Sequence, residues 1–164
     1  MSDDVGAVEL LEGQHREVAD LFEKLEKASG ARKRDLFTQI ADKLAIHATI
    51  EEREFYPAVK AKRTEDILLE SLEEHLGIKR VLADLLAIDV DDETFDAKAK
   101  VLKEQVEHHV QEEQDELFPK VEKLFDAGAL EEIGAAMAET EEELRSEGNP
   151  RDAIPSETDA AAPL

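Results

Sequence analysis

Val8, Leu11, His15, Val18, Phe22 and Leu25 recur at spacings of 3, 4, 3, 4 and 3. This rhythm draws one narrow stripe along a helix and predicts a first helix from about residue 4 to 28, with His15 on the stripe. Ser29-Gly30 ends it, Gly30 being suited to a left-handed C-cap. A second helix begins near Ala31, carries Leu36, Ile40, Leu44, His47 and Glu51 on one face, and runs to about Lys62. Pro57 lies inside it, where it kinks the helix or loosens its last turns. The polar stretch Lys62-Arg63-Thr64-Glu65 connects it to the next helix, with Thr64 as an N-cap candidate. Leu68, Leu72, His75, Ile78, Leu82 and Leu85 then repeat the stripe of the first helix, again with a histidine in the middle. After the acidic connection Ile88–Glu93, a fourth helix over about 93–126 places Leu102, Val106, His109, Glu113 and Leu117 inward. A shorter amphipathic helix, about 129–146, presents Leu130, Ile133, Met137 and Leu144 and packs outside the others. Residues 148–164, with little apolar periodicity, read as a disordered tail. The fold class that follows is all-α: an antiparallel up-down-up-down four-helix bundle over about 4–126 with a short additional C-terminal helix. Residues 1–147 form one domain.

Composition agrees with this pattern. Aromatics are 4% of 164 residues, Trp is absent, and Ala, Leu, Glu and Lys dominate, as in a helical protein with an aliphatic core. The absence of cysteine excludes disulfides, thiolate metal sites and a cysteine nucleophile, so any metal must sit on nitrogen and oxygen. The formal charge of −22 repels polyanions over most of the surface, which argues against nucleic acid as a partner. The same field serves solubility or salt adaptation, and it raises the local concentration of cations. The acidic N-terminus lacks the pattern of a secretory signal, and no apolar run is long enough to cross a membrane, so a cytoplasmic protein without membrane partners is expected.

The chemistry lies in an internal duplication. His47-Ala48-Thr49-Ile50-Glu51 opens a segment that continues through Glu54 to Tyr56-Pro57, and 62 residues later His109-Val110-Gln111-Glu112-Glu113 continues through Glu116 to Phe118-Pro119. Both copies read His, Glu four on, Glu seven on, an aromatic nine on and Pro ten on. In an antiparallel hairpin two residues share a height when the turn lies midway between them. The midpoints of His15/His47, His47/His75 and His75/His109 fall at 31, 61 and 92, on or within a few residues of the three connections. Four imidazoles therefore converge on one level. Glu51 and Glu113 lie about 40° around and roughly 6 Å along from their histidines, on the same face. A lone core histidine is commonly just a hydrogen-bonded residue, but burying four imidazoles and two carboxylates without a cation leaves costly unpaired polar groups. The pattern predicts a metal site. Imidazole and carboxylate suit iron or manganese, and also zinc or copper. His108 lies about 100° off the stripe and is read as exposed or supporting.

The order H…HxxxE…H…HxxxE, carried by His15, His47, Glu51, His75, His109 and Glu113, resembles the hemerythrin-like HHE cation-binding family of non-haem di-iron helical bundles. The resemblance implies two iron ions in an oxo- or hydroxo-bridged centre, with the histidines as terminal ligands and Glu51 and Glu113 as bridging carboxylates. It also implies that O2, nitric oxide or peroxide is the small-molecule partner, for scavenging, sensing or storage. The alternative is a di-iron enzyme that decomposes peroxide or oxidises ferrous iron. The invertebrate oxygen carriers of that superfamily use five histidines and one aspartate, whereas this chain offers four on-face histidines and two glutamates. Glu54 and Glu116, one turn beyond Glu51 and Glu113, are candidates to orient ligands or relay protons, or else rim carboxylates in water. Tyr56, the sole tyrosine, is a candidate to hydrogen-bond a bound oxygen species, donate an electron or ligate, or else a packing aromatic.

Overall fold

The computed structural model describes residues 5–164, and every regular element among them is helical. In chain order these are α1 (Ala7–Glu26), α2 (Gly30–Ile50), a π-helical turn (Glu51–Phe55), α3 (Tyr56–Val59), α4 (Glu65–Leu86) and α5 (Phe95–Glu112). A second π-helical turn (Glu113–Leu117), α6 (Phe118–Leu124), α7 (Ala127–Ser146) and a 3-10 helix (Pro150–Glu157) complete the chain. The expected start of the first helix at residue 4 lies outside the described residues. Gly30 adopts the left-handed conformation expected of it, at φ 59°, but as the first residue of α2. Thr64 does not cap α4 with its side chain; its hydroxyl donates to Val59 O at 2.8 Å and accepts from Ala61 N at 2.9 Å, tightening the turn before the helix.

The two prolines act through the turns that precede them. Pro57 has no N–H to donate to the carbonyl of Arg53, and its ring would crowd that carbonyl in a regular α-helix. The chain instead widens into a π turn over Glu51–Phe55, in which the Tyr56 N–H reaches Glu51 O. Pro119 does the same to Glu113–Leu117, with the Phe118 N–H on Glu113 O. Each helix thus continues past its proline, and the expected kink takes the form of a local change of helical period.

Two apolar clusters form the core, one on each side of the histidine level. The first gathers Val18, Phe22 and Leu25 from α1 with Leu36, Ile40 and Leu44 from α2, Ile78, Leu82 and Leu85 from α4, and Leu102 and Val106 from α5. The second gathers Val8 and Leu11 with Ile46, Ile50, Phe55, Tyr56, Leu68, Leu72, Leu117 and Phe118. The end of α1 thus meets the start of α2, and the end of α4 meets the start of α5. Fully burying each Leu or Ile contributes about 1.5–3 kcal/mol, so the polar level is flanked by two strongly cohesive layers. No described helix is long and apolar enough to cross a membrane.

Helix α7 starts two residues earlier than expected, with Asp126 accepting from Ala129 N at 2.8 Å as its N-cap. It closes the second cluster through Leu130 and Met137. The expectation of a disordered tail is corrected by the segment after it. Pro150–Glu157 folds as a 3-10 helix across α2 and α4, where Ile154 is 2% exposed. Arg151 pairs with Asp42 at 2.9 Å and Glu157 with Lys79 at 2.9 Å. One apolar side chain with flanking ion pairs has no period for a sequence pattern to show, yet it suffices to order a segment laid into a groove.

Gly134 supports α7 by absence. A Cβ there would collide with the carbonyl of Val5, with Ala7 N at 3.1 Å beyond it. Gly→Ala inside an unencumbered helix stabilises by roughly 0.5–1 kcal/mol. Here Gly134→Ala is expected to destabilise by about 1–3 kcal/mol, seen as a lower urea midpoint; a raised midpoint would show that α7 does not rest on the N-terminal backbone.

Candidate metal centre

The four expected histidines and two glutamates meet in one buried layer. His15, His47, His75 and His109 are 3–8% exposed and Glu51 and Glu113 are fully buried. Each imidazole turns Nε2 inward. His15 Nε2 lies 3.1 Å from Glu113 Oε1, His47 Nε2 3.1 Å from Glu51 Oε1, and His75 Nε2 3.0 Å from Glu51 Oε1. His109 Nε2 lies 3.4 Å from Glu113 Oε1 and 3.6 Å from Glu51 Oε1. The atoms able to hold a metal fall into two groups, His15, His47 and Glu113, and Glu51, His75 and His109, one atom from each residue lying within 4.8 Å of the others in its group.

The outer nitrogens are held by four residues that the sequence reading did not single out. His47 Nδ1 donates to Gln14 Oε1 at 2.7 Å, His75 Nδ1 to Glu52 Oε2 at 2.8 Å, and His109 Nδ1 to Glu74 Oε1 at 2.8 Å. The Gln114 amide lies 3.1 Å from His15 Nδ1. These partners repeat with the duplication. Gln14 and Glu74 each precede the histidine of their own helix, while Glu52 and Gln114 each follow the conserved-spacing glutamate of theirs. A paired Gln/Glu at both offsets was the available signal.

Because carboxylates accept only, the Nδ1 contacts to Glu52 and Glu74 fix those nitrogens as donors and leave lone pairs at Nε2. His75 Nε2 and His109 Nε2 then face each other at 3.2 Å. His47 Nε2 and Glu51 Oε2 are buried with no hydrogen-bond partner. The interior is a set of acceptors waiting for positive charge, and four nitrogens with two carboxylates fit a nitrogen-and-oxygen metal such as iron, manganese or zinc. Proton affinities report the same demand. Burial on its own depresses the pKa of His47, yet Glu51 and Glu113 carry it up to about 9. His109 is likewise raised well above the ordinary range, burial being outweighed by Glu113 and its other carboxylate neighbours. Glu51, pushed up by burial and by Glu113, is nonetheless held at about 2 by His47 and His109. Glu113 is held well below its usual value, burial being opposed by His109 and His15.

Tyr56 belongs to this layer. Its hydroxyl donates to Glu113 Oε2 at 2.9 Å and lies 3.3 Å from His75 Nε2. Burial raises its pKa well above 10, with Glu113 and Glu51 adding to the effect, so the phenol keeps its proton. The π turn explains the placement. In an unbroken α-helix Tyr56 would stand about 140° from Glu51, whereas one π turn sets it over that residue. Phe118, its counterpart, stacks on His15 at 5.9 Å. The same widening turns Glu54 and Glu116 away from the ligand face. Glu54 accepts from Thr140 of α7 at 2.8 Å, and Glu116 is exposed. His108 is exposed as expected and forms a separate surface group with Glu74 and Glu112.

Glu52 touches both His75 Nδ1 and Lys79 Nζ, the latter at 3.0 Å, and these partners lower its pKa against the effect of burial. Glu52→Gln is expected to weaken metal binding by about 10–100-fold at unchanged stoichiometry, measured by competition with a chelator. Glu54→Gln and Glu116→Gln should leave affinity unchanged. Equal losses in all three variants would overturn the distinction.

The chain matches the model of the hemerythrin HHE cation binding domain over residues 6–121. It is 29% identical over 119 residues to a DNA nickase of Nostoc sp. (strain PCC 7120 / SAG 25.82 / UTEX 2576), an alignment covering 72% of this chain and 34% of the relative. The chain therefore spans about a third of that protein's length. Among solved structures, it is similar to a hemerythrin HHE cation binding domain-containing protein from Mycobacterium kansasii, with a TM-score of 0.76 and 26% identity, covering 87% of this chain and 89% of the other. With the family pattern matched from α1 into α6 and its histidines and glutamates gathered in one buried layer, the chain belongs to the hemerythrin HHE cation-binding family.

Proposed function

We propose that the chain is a non-haem di-iron protein, an up-down-up-down four-helix bundle with a C-terminal helix, that takes up O2, nitric oxide or peroxide at its four-histidine, two-glutamate layer. The observation that carries this is the division of the ligands into two groups of two imidazoles and one carboxylate. Each carboxylate also contacts a histidine of the opposite group: Glu51 lies beside His47, and Glu113 beside His109. That crossing would suit two ions, one held by His15 and His47, the other by His75 and His109, with Glu51 and Glu113 available to both.

When bound, an iron pair supplies redox-active centres able to take up a small oxygen- or nitrogen-oxide ligand. The chain's own residues orient and protect that chemistry. Gln14, Glu52 and Glu74 fix the imidazole tautomers, and Tyr56 holds a proton against Glu113 Oε2. The buried phenol beside Glu113 and His75 also favours a second reading, in which the same layer turns over peroxide or oxidises ferrous iron. DNA nicking is not carried over from the Nostoc relative, because a charge of −22 opposes approach of a polyanion.

The test is metal content per chain followed by the optical spectrum of the same sample before and after peroxide. An iron pair, with bands that change on addition and then recover, is expected. A single zinc per chain would overturn the reading. His109→Ala and Glu113→Ala are each expected to lower iron content, and unchanged iron in both would remove these residues from the ligand set.

A further inference from the structure

The histidine layer has two unlike faces. Glu51, Glu113 and Tyr56 all come from the proline-bearing ends of their helices and crowd one face with oxygen. On the other face the four imidazoles form the wall of a cavity of about 30 Å³, completed by hydrocarbon from Val18, Leu44, Ile78, Val106 and Ile154. A single water needs roughly 10–15 Å³ by the same measure, so the space suits one diatomic-sized molecule. The polar groups at its edge are already engaged. Gln14 Oε1 holds His47 Nδ1, and Lys79 Nζ lies between Glu52 and Glu157.

Four of these hydrocarbon residues come from α1, α2, α4 and α5. Ile154 comes from the 3-10 helix, beyond the matched family residues 6–121. That segment lies in the groove between α2 and α4 and is pinned on both banks. Asp42 of α2 receives Arg151 through the backbone N–H at 3.1 Å and the guanidinium at 2.9 Å. Lys79 of α4 pairs with Glu157, and Arg80 donates to Thr158 O at 3.0 Å. The Lys79 pair runs on through Glu52 to Nδ1 of His75, so the segment is tied to a site histidine as well as to the groove.

We propose that Pro150–Glu157 is a lid over the ligand entrance, and that Ile154 is the specificity-determining residue that limits entry to uncharged molecules of diatomic or hydrogen peroxide size. This rests on the proposed function for the identity of the ligands, but the cavity and its lid do not depend on the metal. An uncharged small molecule crosses the hydrocarbon without loss of hydration, whereas a hydrated anion must shed water with no polar partner in return. Branched molecules meet the Ile154 side chain.

Xenon is the first probe, because it occupies dry apolar cavities. In the zinc-loaded protein, xenon is expected to shift methyl resonances of Val18, Leu44, Ile78 and Val106. Ile154→Trp should abolish those shifts and Ile154→Ala strengthen them several-fold, both with unchanged zinc content. Xenon shifts that are identical in all three proteins would overturn the lid. In the iron-loaded protein, the ratio of the rates with hydrogen peroxide and tert-butyl hydroperoxide should fall at least tenfold in Ile154→Ala, and an unchanged ratio would overturn Ile154 as the size limit. Loaded protein that takes up neither O2, nitric oxide nor peroxide overturns the proposed chemistry, and the xenon series still decides the lid.

Discussion

The structure turns on a buried layer crowded with acceptors. Four imidazole nitrogens and two carboxylates point at one another across a few ångströms, between two apolar clusters that keep water out. Bringing such groups together without a cation is unfavourable, and the raised His47 and His109 beside the lowered Glu51 and Glu113 show imidazole and carboxylate favouring opposite charges across the layer. The aliphatic clusters on both sides supply the cohesion that makes so unfavourable a layer tolerable in a chain of this size.

Around that layer the helices act as positioning devices. Their apolar stripes fix the height and inward direction of each histidine, and the neighbouring helix fixes its rotation through the outer nitrogen. The prolines finish the work from a distance. By forcing a π turn just after each ligand glutamate, they swing Tyr56 and Phe118 over the site, where regular α-helical geometry would have sent them elsewhere. One consequence is asymmetry: the same position is a proton donor to Glu113 in one half and an apolar ring stacked on His15 in the other.

The helices, their stripes and the convergence of four histidines and two glutamates on one level were legible in the sequence, because burial imposes a period and hairpin geometry imposes a common height. Of the two readings open for Glu54 and Glu116, the place on the inner face rested on α-helical angles that the π turns do not keep, and exposed Glu116 matches the rim carboxylate. Gln14, Glu52, Glu74 and Gln114 looked like ordinary polar-face residues, since their roles depend on which histidine the next helix presents. Ile154 was invisible for another reason: a lone apolar residue among prolines and charges has no periodicity, and only the groove between α2 and α4 gives it a place.

The crossing of the two groups also makes the halves of the chain interdependent. His15 and His47 of the first half are grouped with Glu113 of the second, while His75 and His109 are grouped with Glu51. A single repeat completes neither group. Each half therefore depends on the other for its carboxylate, so neither half holds a complete group without its partner. Tyr56 in one half and Phe118 in the other make the two groups chemically unequal, one with a phenol on its carboxylate and one with an apolar ring on its histidine.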